Sequence, residues 1–141
     1  MIKSTHKDVT VLLIEDDDVD AMAIKRSFDK ARVGNTIMRA GNGLEALDIL
    51  TNNKISLPYI ILLDLNMPRM NGLEFLTELR SNPEISDSIV FVLTTSDKDE
   101  DIVSSYKMNV AGYFLKNEAG VGFSNVIAML EGYWKIAVLP T

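Results

Sequence analysis

Four groups of residues in this sequence could do chemistry together. Glu15-Asp16-Asp17-Asp18 follows the apolar run 9–14, Asp64 follows 59–63, Thr94-Thr95-Ser96 follows 89–93, and Lys116 follows 112–115. Carboxylates brought together from separate segments repel one another unless a cation sits between them, and an oxygen-only donor set selects Mg²⁺, Mn²⁺ or Ca²⁺. Mg²⁺ takes one or two carboxylates, keeps waters and accepts a phosphate oxygen, so a lysine beside it suits an arriving anion. Carboxylate, metal and lysine together describe a phosphoryl-transfer centre with Asp64 as nucleophile. Each group also has a plainer explanation. Taken alone, residues 15–18 read first as a solvated acidic cap favoured by the positive end of a helix. Thr94 and Thr95 could simply end a strand, and a lysine after a strand is usually surface. Asp64 is harder to dismiss, because an acid directly after five apolar residues must emerge where the strands end. The case rests on convergence.

Convergence requires elements that bring these groups to one place. The runs 9–14, 59–63 and 89–93 are continuously apolar and β-branched, as in strands buried on both faces of a parallel sheet. Weaker runs at 36–40 and 112–115 suit sheet edges. Helical patterns lie between them. Ala21, Ile24, Phe28 and Ala31 make one stripe, with Asp18 as the expected N-cap and Gly34 as the stop. Leu44, Leu47, Ile49 and Leu50 follow Gly41-Asn42-Gly43, and Leu73, Leu76 and Leu79 follow Asn71-Gly72, ending before Pro83. Two more helices are expected over about 99–108 and 121–136. Strict strand–helix alternation predicts an α/β fold with right-handed crossovers and helices on both faces of a doubly wound parallel sheet. The flavodoxin-like order 2-1-3-4-5 puts both weak strands at the edges and gathers the four groups at the carboxyl ends of the strands.

Composition narrows the function. The chain has 141 residues, 47% hydrophobic and 24% charged, which fits one globular domain. The expected division is a polar tail at 1–8, a domain at 9–136 and an apolar C-terminal extension at 137–141. Without cysteine there is no disulfide framework, thiolate metal site or cysteine nucleophile. The single histidine, His6, sits in the polar tail, which excludes Ser-His-Asp catalysis and multi-histidine zinc sites. Twenty acids against 14 basic residues give a formal charge of −6, unlike a nucleic-acid binder. No stretch approaches a membrane span and the N-terminus lacks a signal-peptide core, so a cytoplasmic protein without nucleic-acid or membrane partners is expected. Asp16-x-Asp18-x-Asp20 opens like an EF-hand loop, but Ala21 and Ser27 replace its glycine and bidentate glutamate. Neither a P-loop nor a complete dinucleotide fingerprint occurs.

The segments Val11-Leu12-Leu13-Ile14-Glu15-Asp16-Asp17, Leu62-Leu63-Asp64-Leu65-Asn66-Met67-Pro68-x-Met70-Asn71-Gly72, Val92-Leu93-Thr94-Thr95-Ser96 and Gly112-Tyr113-Phe114-Leu115-Lys116 resemble the receiver domain of two-component response regulators. The resemblance covers nearly the whole chain, with its motifs in order. It implies that Asp64 is the phospho-acceptor, attacking a phosphohistidine on a sensor histidine kinase. It implies a Mg²⁺ (or Mn²⁺) site formed by Asp16, Asp64 and the Asn66 backbone carbonyl, with Glu15 acting through water. Lys116 and Thr94 would engage the phosphoryl group, and Tyr113 would be the aromatic that turns inward with the threonine. Asn66 and Ser96 occupy positions that tune dephosphorylation. Where many family members have proline after the lysine, this sequence has Asn117.

Thr94-Thr95-Ser96, Ser105-Tyr106 and the ending Tyr133-Trp134-x-x-x-Val138-Leu139-Pro140 also resemble stand-alone regulators that serve bacterial phytochrome kinases. With no output module after the receiver, signalling is expected through protein contact or phosphorelay, not enzymatic turnover. The apolar surplus from Val126 to Leu139 has two readings, core cover or an exposed patch for a partner or homodimer, and the narrower resemblance favours the dimer. Two other functions compete with a phosphorylated receiver. A Mg²⁺-dependent phosphohydrolase of the haloacid dehalogenase type would carry a second aspartate, but Asp64-x-Asn66 lacks it. A pseudo-receiver would bind partners without phosphorylation, against which stand the intact Asp16, Asp64, Thr94 and Lys116.

Overall fold

The computed structural model describes residues 9–31 and 34–140. The polar tail with His6, and Thr141, lie outside that range. Five strands, β1 (Thr10–Ile14), β2 (Ile37–Ala40), β3 (Tyr59–Leu63), β4 (Ile89–Thr94) and β5 (Gly112–Leu115), alternate with five helices. The helices are α1 (Asp18–Lys30), α2 (Gly43–Thr51), α3 (Gly72–Ser81), α4 (Asp99–Lys107) and α5 (Ser124–Ile136). All strand pairs are parallel, and the order is β2-β1-β3-β4-β5, as the alternation requires.

Side chains alternate across a strand, and here both faces are covered. Leu12, Ile14, Ile61, Leu63, Val90 and Val92 face α2 and α3, with Phe75, Leu76 and Leu79 packed on them. Val11, Leu13, Ile60, Leu62, Phe91 and Leu93 face α1 and α5, against Ile24, Phe28, Ile127, Leu130 and Trp134. This double burial is why the three central strands are continuous apolar runs. Trp134 stacks on Phe28 at 6.3 Å between ring centres, tying α5 to α1.

Helix starts are set by side chains that accept otherwise unpaired amides. Asn71 and Glu74 close a reciprocal capping box on α3, with bonds of 2.9 and 3.0 Å. Asn42 caps α2 through the Glu45 amide. For α1 the cap is Asp17, not Asp18. Asp17 has extended backbone and accepts from the Val19 and Asp20 amides at 2.8 and 3.1 Å, while Asp18 turns out to pair with Arg39.

Other sequence expectations shift as well. α1 ends at Lys30, capped by an exposed Ala31, so neither the Ala31 contact nor the Gly34 stop holds. Leu44 is 50% exposed, because the buried side of α2 is Gly43, Ala46, Ile49 and Leu50. The last helix starts at Ser124, since left-handed backbone at Gly122 and Phe123 turns 121–123 into a separate 3-10 turn. Most of the C-terminal apolar surplus is core. Val126, Ile127, Leu130, Trp134 and Leu139 are buried, whereas Ile136 and Val138 stand 86% and 78% exposed. Any pairing surface at this end would centre on those two. Among the described residues, no helix is long and apolar enough to cross a membrane.

Candidate functional site

Register places the site. Ile14 lies opposite Leu63, so β1 and β3 end level, and Leu63 lies opposite Val92, so β4 runs two residues further and carries Thr94 to the same edge. The Asp64 amide donates to the Ile14 carbonyl at 3.0 Å, which holds Asp64 beside Glu15 where the two central strands stop. Glu15 and Asp64 are buried, at 1% and 5% exposure, and Asp16 is exposed at the mouth. One carboxylate oxygen from each of the three falls within 4.8 Å of the others. That donor set fits a hard divalent cation, which prefers carboxylate, carbonyl and water oxygens.

Lys116 reaches into this acidic pocket from the residue after β5, its side chain only 10% exposed. Its Nζ lies 2.7 Å from Glu15 Oε1, 2.7 Å from Asp20 Oδ2 and 3.3 Å from Asp64 Oδ2. The other Asp64 oxygen, Oδ1, accepts from the Asn66 amide at 3.2 Å. The Asn66 side chain donates to Thr95 Oγ1 at 3.1 Å and lies 3.5 Å from Thr94 Oγ1. Thr94 is fully buried at the end of β4. Tyr113 is half-buried against the α3-side core, and its hydroxyl donates to the Ser96 carbonyl at 2.8 Å.

Three carboxylates, those of Glu15, Asp20 and Asp64, share one ammonium, and Asp16 adds a fourth negative charge beside Glu15 and Asp64. The excess negative charge is felt at Glu15, whose carboxyl is pushed up to about 8. Burial is the main cause, the hydrogen bond from Lys116 opposes it, and the Asp64 charge adds to it. Burial also works against the Lys116 charge. The Asp20 and Glu15 hydrogen bonds and the Asp64 charge outweigh that, so the ammonium is held above its ordinary value.

Every residue nominated from the sequence therefore sits at this one edge of the sheet. Asp16, Glu15, Asp64 and Lys116 converge directly, Asn66 and Thr94 line the next layer, and Tyr113 and Ser96 sit behind Thr94. Sequence reasoning missed Asp20. Its signal was an acid in the first turn of the helix that follows the first acidic strand end, placed there by the Asp17 cap. The sequence places Gly72 only ahead of the third helix and within the receiver-like motif, yet a Cβ on it would sit 2.7 Å from Leu65 Cα and 2.8 Å from the Asp64 carbonyl oxygen. Only glycine lets α3 start that close to the Asp64 backbone. Lys116-Asn117 opens a 3-10 turn at Lys116–Glu118, and the cis peptide is elsewhere, at Leu57-Pro58.

Residues 11–127 match the family described as response regulator receiver domain. The chain belongs to that family. Among characterised relatives, Response regulator Rcp1 of Synechocystis sp. is 29% identical over 128 residues, covering 88% of this chain and 87% of Rcp1. Among solved structures, the phosphorylated cyanobacterial phytochrome response regulator RcpA superposes with a TM-score of 0.83 at 31% identity, covering 95% of this chain and 99% of that one. The Mn²⁺-bound form of Rcp1 gives a TM-score of 0.82 at 28% identity over 94% and 99% of the two chains. This receiver is thus similar over almost its whole length to phytochrome-associated response regulators.

Proposed function

We propose that this receiver takes a phosphoryl group from a phosphohistidine of a sensor histidine kinase onto Asp64 and signals through the resulting change at α4 and β5. The observation that carries the reading is Asp64 itself. It is a buried carboxylate with an ammonium on one oxygen, a backbone amide on the other, and two further carboxylates within metal-sharing distance. A divalent cation, Mg²⁺ or Mn²⁺, held by Asp16, Asp64 and the Asn66 carbonyl with Glu15 acting through water, would offset the charge of the carboxylates and of the incoming phosphoryl oxygens.

In the transfer an Asp64 oxygen bonds to phosphorus as the bond from phosphorus to the kinase imidazole nitrogen breaks. The electron pair returns to the imidazole. Lys116 balances charge on a phosphoryl oxygen, and Thr94 hydrogen-bonds another. The similarity to RcpA and Rcp1 supports a phytochrome-type kinase as the donor. Asn66 supplies an amide where a phosphohydrolase would place its second carboxylate, which favours a stored phosphoryl group over turnover.

Incubation with Mg²⁺ and acetyl phosphate, followed by intact mass, tests this. One phosphoryl adduct is expected on the wild type, prevented by EDTA and absent from Asp64→Asn. An adduct that persists in Asp64→Asn would refute the assignment. A wild type unmodified both by acetyl phosphate and by phosphorylated kinase would establish a pseudo-receiver instead.

A further inference from the structure

Ser96 is fixed at three points. Its amide lies 3.5 Å from Thr94 Oγ1, its carbonyl accepts from the Tyr113 hydroxyl at 2.8 Å, and its own hydroxyl donates to Asp101 Oδ2 at 2.5 Å. The same Ser96 Oγ accepts from the Lys98 amide at 3.4 Å, so both its donor and its acceptor capacity are committed toward α4. Lys98, the residue at the start of α4, provides no side-chain cap. Asp101, in the first turn, is therefore the side chain that joins this helix to the loop after β4. Among the described residues, the pocket around Asp64 is served by Lys116, Asn66 and Thr94, with no hydrogen bond from the Ser96 hydroxyl.

We propose that Asp101 is a positioning residue that keeps the Ser96 hydroxyl turned to α4 and away from the Asp64 phosphoryl group, and so lengthens the lifetime of that group. Ser96 lies two residues past the phosphoryl-binding threonine, on the loop that rims the pocket. A serine hydroxyl released there could orient water for hydrolysis. In that step the water oxygen bonds to phosphorus while the bond from phosphorus to the Asp64 oxygen breaks. The electron pair returns to the carboxylate, and inorganic phosphate leaves with the proton of the water passing to solvent. A charge-assisted bond at 2.5 Å holds the hydroxyl out of that geometry.

The inference rests on phosphorylation at Asp64, so the test has two arms. In the first, protein phosphorylated with acetyl phosphate and Mg²⁺ is desalted rapidly and its decay followed by intact mass. Asp101→Ala is expected to decay about fivefold faster than wild type, the rate equivalent of one hydrogen bond to the attacking water. Asp101→Asn, which keeps an acceptor oxygen in place, should restore the slow rate. Ser96→Ala and Ser96→Ala/Asp101→Ala should share a single rate. Decay of Asp101→Ala at the wild-type rate, or an acceleration that survives in the Ser96→Ala background, overturns the proposal.

The second arm uses unphosphorylated protein and follows amide exchange over residues 97–102. Ser96→Ala and Asp101→Ala should each speed exchange by the same factor, with no further gain when combined. Independent, multiplying effects would show that no such link exists. Should the wild type take no phosphoryl group from acetyl phosphate or from phosphorylated kinase, the Asp64 reading fails and the lifetime role of Asp101 with it, while the Ser96–Asp101 link is still decided by the second arm.

Discussion

Replacing Gly72 with alanine tests whether the backbone after β3 is what sets Asp64 in place. The Gly72 amide donates to the Leu65 carbonyl at 3.0 Å, folding the chain tightly back into α3. An alanine Cβ would stand 2.7 Å from Leu65 Cα, and ordinary contact begins near 3.4 Å, so the turn must open by about 0.7 Å. Two of the opposing atoms are backbone, Leu65 Cα and the Asp64 carbonyl oxygen, and neither can swing aside as a flexible side chain would. Overpacking of this kind costs about 1–3 kcal/mol. For a chain of this size that lowers the thermal midpoint by roughly 3–10 °C. The displacement falls on the residue that carries the proposed nucleophile. Misplacing a reacting group by about 1 Å can cost on the order of a hundredfold in rate, so phosphorylation by acetyl phosphate should slow at least tenfold.

Gly132→Ala is the internal control. Gly132 lies inside α5 with nothing within 4 Å of its Cβ position, so alanine there should stabilise by about 0.5–1 kcal/mol through helix propensity. Thermal and urea unfolding followed by circular dichroism, together with the rate of adduct formation, would be read on both variants. A Gly72→Ala protein with wild-type midpoint and wild-type phosphorylation rate would refute the argument that this close approach positions Asp64.

Two further outcomes follow from the same geometry. Burial pushes the Glu15 carboxyl up to about 8, so a cation and that proton would compete. Because this folded value is raised above the ordinary 4.5, the stability it contributes is full below about 4.5 and is lost as pH rises through about 8, while metal affinity moves the other way. Titration calorimetry with Mn²⁺ should show affinity rising up to about fiftyfold between about pH 6 and about pH 8, with proton release at the lower end; a flat profile would contradict it. Arg80 fastens the end of α3 to four carbonyls, those of Ser86, Ser88, Met108 and Asn109, at 2.7–3.1 Å. Lysine cannot span them, so Arg80→Lys should lose about 1.5–3 kcal/mol in urea unfolding, and a change under about 0.5 kcal/mol would show these bonds to be dispensable.

Much of this protein is determined locally and is legible in the sequence. Strands buried on both faces must be apolar at every position, so 59–63 and 89–93 announce themselves and their alternation with helices implies the sheet order. An acid or lysine directly after such a strand can only emerge at its carboxyl end, which is why Asp64, Glu15 and Lys116 were identifiable as one site. What the tertiary structure decided depends on contacts across the chain. Asp20 becomes a partner of Lys116 only because β5 delivers the ammonium to the first turn of α1, 96 residues away. Asp17 caps α1 in place of Asp18 because the helical backbone already begins at Asp18, whose side chain turns outward to Arg39 on β2. The Gly72 requirement exists because α3 starts against the Asp64 backbone, and the C-terminal apolar surplus is mostly core because Trp134 and Leu139 find the α1 face of the sheet. Periodicity and strand ends record which side of its own element a residue occupies. They carry no information about which residue from a distant element will meet it there, and that pairing is settled by packing alone.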